Sequence, residues 1–234
     1  VYSAIVLAGG SGRRMGGDIK KQYMEVGGRP AICYPLSVFE KSRVDETVLV
    51  VPPGDEDYVR AEIVERYGFK KVTSLVPGGM ERYDSVRNGI EAAAGEYVLI
   101  HDGARVCVTE DIIERAIAGV TEYGACVVGM PSKDTIKLSD AEGYVDGTPT
   151  RDRVWNIQTP QCFIRKELMG AYEKLSDMEG GFFDITDDAM IMERTGERKI
   201  RLIEGSYENI KLTTPDDISV VTEILKKNDK YDKM

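Results

Sequence analysis

Five short apolar runs set the terms for what this chain can fold into. Residues 4–7, 47–51, 72–76, 97–100 and 125–129 read as strands, and the stretches 30–40, 56–67, 82–93 and 110–122 between them carry helical patterns. Unbroken runs rich in Val, Ile and Leu belong to strands buried on both faces. Joined through helices by right-handed crossovers, they predict a doubly wound, mostly parallel α/β sheet. Pro30 is expected to open the first helix, and Thr109 to cap the fourth. The alternation breaks after Met130. Segment 132–163 holds "DTIKLS", "DAEG" and "YVDGTPT", extended pieces punctuated by turn residues, and is expected to form a protruding β-arm. Helices are predicted again over 166–175, 188–195 and 216–227. The 234 residues are read as one domain, 1–234, with that arm as its excursion.

In open α/β sheets, ligands sit beyond the carboxyl ends of the strands. Three loops directly follow predicted strands: "AGGSGRR", "PGGMER" and "HDGAR". The first leads through Arg13, Arg14, Lys20 and Lys21, with Asp18 the one acid among them. Backbone N–H groups of Ala8, Gly9, Gly10 and Ser11 can line a concave anion site. Arg14 and Lys21 are close enough in sequence to reach the same phosphates. No G-K-[ST] follows, and Met15 stands where a G-x-G-x-x-G loop would place its third glycine. The glycines alone read as readily as a turn with solvated charges; the added cations favour a polyphosphate. Asp102, just past a strand, can hold Mg²⁺ through one or two oxygens while substrate phosphates supply others. A turn cap is the other ordinary task of such an aspartate. Ser85 and the backbone near Gly79 stand where a helix opens and can contact a base. Lys211, in "NIKLTTPDD", lies in an extended piece before a Thr-Pro helix start.

Composition narrows the chemistry. The net charge of −9 argues against nucleic acid or an anionic membrane as the partner, so an anionic substrate needs a local basic pocket. One histidine, His101, rules out a His-rich metal centre, and no G-x-S-x-G elbow accompanies it. It reads as a structural histidine rather than a base. Cys33, Cys107, Cys126 and Cys162 form no C-x-x-C pair and are expected to be free, buried thiols. With neither a secretory leader nor an apolar run of membrane-spanning length expected, the reading is cytoplasmic.

The motifs "AGGSGRRM…KKQY", "GGMERYDSVRNG", "HDGAR", "KDTIK", "QTPQCF", "TDDA" and "NIKLTTPDD" follow one another in a specific order. In that order the chain resembles the 2-C-methyl-D-erythritol 4-phosphate cytidylyltransferases of the non-mevalonate isoprenoid pathway, from about residue 4 to residue 222. The resemblance implies a Rossmann-like sheet, CTP and a small alcohol phosphate as substrates, Mg²⁺ or another divalent cation, and a homodimer formed through the β-arm. It implies that Arg14 and Lys21 stabilise the transition state and that Arg151 and Lys211 position the alcohol phosphate. Arg105, Thr135 and Thr159 would lie near that phosphate. Ala8, Gly9, Gly10, Ser11, Gly79, Arg82, Ser85 and Gly103 would hold the nucleotide, and Asp102 the metal. The family's usual "HDAARP" is here "HDGARV", with Gly103 and Val106 as departures. A ribitol-5-phosphate or other sugar-phosphate cytidylyltransferase, and a non-catalytic nucleotide-binding regulator, stand as alternatives.

Overall fold

A computed structural model describes residues 1–9, 20–196 and 198–228, the side chain of Lys21 apart. The five apolar runs form β1 (Tyr2–Leu7), β4 (Glu46–Val51), β5 (Val72–Pro77), β6 (Tyr97–Asp102) and β7 (Ala125–Pro131). Two further strands join them: β10 (Trp155–Ile164) and β11 (Arg201–Glu204). The sheet runs β11-β7-β10-β6-β1-β4-β5. β10 is antiparallel to both its neighbours, and the other strands are mutually parallel.

Alternation along β1 shows why the apolar runs are unbroken. Ala4 and Val6 join one core cluster, with residues of α1 (Cys33–Lys41), α2 (Glu56–Val59) and α4 (Glu110–Tyr123). Ile5, pointing the other way, joins a second cluster with α3 (Arg82–Ala92), α5 (Arg165–Asp177) and α6 (Asp188–Thr195). Both faces of the sheet are covered, so neither tolerates polar alternation. A third cluster packs α7 (Asp216–Lys227) against the hairpin of β2 (Glu25–Val26) and β3 (Arg29–Pro30) and against 104–107. Thr109 caps α4 as expected, its Oγ1 accepting from the Ile112 N–H at 3.3 Å. All four cysteines are buried and none forms a disulfide. Among the described residues, no helix is long and apolar enough to cross a membrane.

Two expectations need correction. Pro30 does not open a helix; it ends the β2–β3 hairpin, and α1 starts at Cys33. The cause is the turn at Gly27 and Gly28, whose φ values of 61° and 77° suit a two-residue hairpin turn. The arm expected over 132–163 is shorter. Its outer part forms a two-stranded sheet of β8 (Leu138–Ser139) and β9 (Val145–Gly147), but Trp155–Ile164 returns as β10 between β7 and β6.

Candidate active site

The carboxyl ends of β1, β4, β5 and β6 bring the predicted loops to one edge of the sheet. The Ala8 N–H donates to the Val50 carbonyl at 2.7 Å, and the Gly78 N–H to the Val51 carbonyl at 2.7 Å. These bonds seat the loops after β1 and β5 on the end of β4. The Gly79 N–H donates to Ser85 Oγ at 3.0 Å, and that hydroxyl donates to the Glu81 carbonyl at 3.2 Å. A Cβ added at Gly79 would overlap Asp84 Cβ, so the close approach of this loop to α3 requires glycine. Gly9 stands beside Gly78: a Cβ built on it would lie 3.6 Å from the Gly78 Cα. Gly10, Ser11 and Arg14 lie outside the described residues, as does the side chain of Lys21. The Lys21 backbone sits in a short 3₁₀ turn, Lys21–Tyr23.

Asp102 ends β6 and is the centre of the charged cluster. Lys211 Nζ donates to its Oδ2 at 2.6 Å, and Arg82 Nε stands 3.7 Å from Oδ1. Burial alone would raise this carboxyl; Arg82 and Lys211 outweigh burial and hold it well below the usual carboxylate range. Arg82 is gripped from behind. Its Nη1 and Nη2 donate to the two oxygens of the fully buried Asp188 at 2.9 and 2.7 Å. That bidentate geometry fixes the plane of the guanidinium.

The histidine beside Asp102 is spoken for. His101 is completely buried, and burial pushes its imidazole down to about 4, so the ring is neutral at pH 7. Nε2 lies 3.3 Å from the Arg105 carbonyl, which can only accept, so Nε2 carries the proton. Nδ1 therefore accepts from Thr159 Oγ1 at 3.0 Å, and that oxygen accepts from the Asp102 N–H at 3.1 Å. Thr159 thus supports the Asp102 backbone through its hydroxyl.

Arg105 likewise points inward. Its Nη1 and Nη2 donate to the carbonyls of Asn209 at 2.7 Å and Ile157 at 3.3 Å. Asn209, fully buried, donates through Nδ2 to Gln158 Oε1 and to the Thr159 carbonyl. Together they pin the segment carrying Lys211 to the end of β10. Gly103 donates its N–H to the Leu7 carbonyl at 2.9 Å, tying β6 to β1. Farther along the same edge, Arg151 Nη2 donates to Thr135 Oγ1 at 3.1 Å, so these two expected substrate contacts stand together.

Among the described residues, no group of three or more His, Cys, Asp or Glu side chains could cage a metal ion. The donor set still fits magnesium. That ion is usually held by one or two carboxylates plus substrate phosphates, and Asp102 is an ionised carboxylate whose Oδ1 meets no hydrogen-bond donor within normal range among the described residues, Arg82 Nε standing 3.7 Å away. Asp188, Asn209 and Gln161 escaped the residue-by-residue reading. Gln161 Oε1 accepts the N–H groups of Asp188 and Ala189, and its Nε2 donates to Asp187, which fixes the start of α6. The motifs "QTPQCF", "TDDA" and "NIKLTTPDD" contain all three residues.

The cluster offers cations and a carboxylate at the carboxyl edge and no titrating base, an arrangement suited to phosphate chemistry. Comparison with known proteins agrees. The model of the 2-C-methyl-D-erythritol 4-phosphate cytidylyltransferase family matches residues 2–227. A protein of that name from Lachnoclostridium phytofermentans is 44% identical over 230 residues, covering 98% of each chain. One from Lachnospira eligens is 46% identical over 226 residues, covering 96% of this chain and 99% of its own. Among solved structures, the 4-diphosphocytidyl-2C-methyl-D-erythritol synthase of Anaerococcus prevotii superposes with a TM-score of 0.84 at 36% identity, covering 96% of both chains. With its sheet and nearly its whole length in agreement, the chain belongs to the 2-C-methyl-D-erythritol 4-phosphate cytidylyltransferase family.

Proposed function

We propose that this chain, acting as one domain, transfers the cytidylyl group of CTP to 2-C-methyl-D-erythritol 4-phosphate, giving 4-CDP-2-C-methyl-D-erythritol and pyrophosphate. The observation that carries the reading is the contrast between two neighbours. His101 is neutral with both ring nitrogens bonded, whereas Asp102 is an ionised carboxylate bracketed by Arg82 and Lys211. Cytidylyl transfer needs the second and not the first. An oxygen of the alcohol phosphate attacks the α-phosphorus of CTP, a new P–O bond forms, and the bond to the pyrophosphate breaks. A phosphate monoester has a second pKa near ~6, so the nucleophile arrives mostly deprotonated and no base is required.

What the reaction requires is alignment and charge neutralisation. The loop backbone from Ala8 and the Gly79 turn hold the nucleotide; Arg14 and Lys21 draw negative charge off the triphosphate. Lys211, seated by Arg105 and Asn209, meets the incoming phosphate, with Arg151 and Thr135 as its further partners. Asp102 would hold a divalent cation, which would supply added charge neutralisation. The β8–β9 hairpin exposes Leu138, Tyr144 and Val145. Such a two-stranded ribbon with apolar residues in water is marginal alone, which supports a homodimer paired through this arm.

The test is pyrophosphate release from CTP over a panel of alcohol phosphates. Mg²⁺-dependent turnover with methylerythritol phosphate is expected. Turnover restricted to ribitol 5-phosphate, or undiminished in excess EDTA, overturns the reading, and nucleotide binding without turnover identifies a regulator.

A further inference from the structure

We infer that Tyr207 and Lys133 form a clamp that positions the Thr135–Arg151 pair for the alcohol phosphate; the role in catalysis rests on the reading above. The excursion between β7 and β10 holds itself together internally. Arg151 bonds Thr135, and Lys137 Nζ donates to Thr148 Oγ1 at 2.7 Å. Its root is narrow: Pro131 pairs with Trp155, and the Ser132 N–H donates to the Val154 carbonyl at 2.8 Å. Two strands leaving a sheet through so few bonds can swing as a unit, and a swing at the root carries Thr135 and Arg151 with it.

Tyr207 adds a tie from a different part of the chain. Its hydroxyl donates to the Pro131 carbonyl at 2.9 Å, and Lys133 Nζ stands 3.6 Å from the centre of its ring. A lysine ammonium at that range over a tyrosine face is a cation–π contact. Tyr207 itself rests on a fixed base. The Gly205 N–H donates to the Gly129 carbonyl at 2.9 Å, and Gln158 Nε2 to the Ser206 carbonyl at 2.7 Å. Two residues beyond it, Asn209 begins the segment that seats Lys211. The same short loop therefore holds the root of the excursion and the mount of Lys211. Tyr207 and Lys133 are positioning residues: they set the angle at which Thr135 and Arg151 leave the sheet edge, whichever site that pair enters in a dimer.

Kinetics and hydrogen exchange test this together on the full chain. For Tyr207→Ala, KM for the alcohol phosphate should rise roughly tenfold, the scale of one hydrogen bond plus one exposed cation–π contact. KM for CTP and kcat should stay within about twofold, because the nucleotide loop is untouched and the Lys211 segment keeps the bonds that Arg105 and Gln158 make to it. Lys133→Met should reproduce part of the rise and Lys133→Arg should restore it, since a guanidinium also stacks on an aromatic face. Amides in 133–151 should exchange faster in Tyr207→Ala than in the wild type. If the wild type turns over and Tyr207→Ala leaves KM for the alcohol phosphate unchanged, or raises both KM values alike, the clamp is rejected. If the wild type has no turnover with any alcohol phosphate, the functional reading fails, and exchange alone decides the clamp: unchanged protection in 133–151 rejects it.

Discussion

Two adjacent residues, His101 and Asp102, divide the labour that many transferases give to one acid–base pair. The hydrogen-bond chain from the Asp102 N–H through Thr159 and the imidazole to the Arg105 carbonyl has one consistent assignment of protons. His101 is a strut within it. A folded His101→Asn protein should lose about 1–3 kcal/mol of stability through a cavity and a broken buried chain, yet retain turnover in the pyrophosphate assay. Unchanged thermal stability with abolished turnover would instead make the ring a participant. Gly103 is the second informative position, because it departs from the "HDAARP" pattern that the motif resembles. A Cβ built on Gly103 meets Ile32 Cδ1 at 2.5 Å and the Leu7 carbonyl oxygen at 2.9 Å. The space that an alanine methyl would fill is occupied by a neighbouring side chain. Gly103→Ala should therefore destabilise this chain by about 1–3 kcal/mol, the usual scale of overpacking, and Ile32→Val should recover part of the loss by removing Cδ1. Thermal melts of the two single variants and the double variant read this out; additive losses would refute the compensation.

The elements carry the site through their ends. Arg82 is the first residue of α3 and Asp188 the first of α6, and their bidentate pair locks two helix starts together beside Asp102. Breaking it strands a guanidinium only partly reached by water. Asp188→Asn should cost about 2–4 kcal/mol and lower the midpoint of thermal unfolding by roughly 5–15 °C in a chain of this size. An unaltered midpoint would show that the pair is replaceable by Arg82 turning to Asp102. These elements were unevenly legible in the sequence. The strands of β1, β4, β5, β6 and β7 announce themselves because burial on both faces leaves no polar interruption. β10 does not: it opens with Trp155, Asn156 and Ile157 partly or fully exposed, contains Pro160, and runs against its neighbours. β11 has four residues, of which the first and last, Arg201 and Glu204, are charged. In the site, Asp102 could be picked out from its loop, whereas Lys211 alone reads as a surface charge and gained a role only through the family resemblance. The Arg82–Asp188 pair could not, since the partners are 106 residues apart and nothing local in either segment specifies the other. The carbonyls and the imidazole that Arg105 and Thr159 bond are likewise set by the fold alone, since each partner lies 52 or more residues away in sequence.

At the scale of the whole molecule, the net charge of −9 repels the anions that the proposed reaction must bring together, so the cations have to be concentrated where the phosphates meet. One chain divides them between two places. Lys21 follows the first loop, while Arg151 sits with Thr135 on the excursion beyond β7, whose hairpin exposes Leu138, Tyr144 and Val145. In a twofold dimer paired through that hairpin, the proposed consequence is exchange: Arg151 completes the neighbouring site, whereas Lys21 serves its own. Mixing two inactive proteins tests it. Lys21→Ala should lose ~10²–10³-fold in kcat, as removal of a preorganised transition-state donor does, and Arg151→Ala should be severely impaired through its hold on the phosphate. If the site is shared, a mixed dimer contains one site with both defects and one with neither. Random exchange at equal amounts makes about half of the dimers mixed, so roughly a quarter of all sites should recover. If Arg151 acts within its own chain, every site keeps one defect and the mixture stays inactive. Subunit exchange is verified separately, by native mass spectrometry of differently tagged proteins, and verified exchange without recovered turnover rejects the shared site even in a protein that is dimeric.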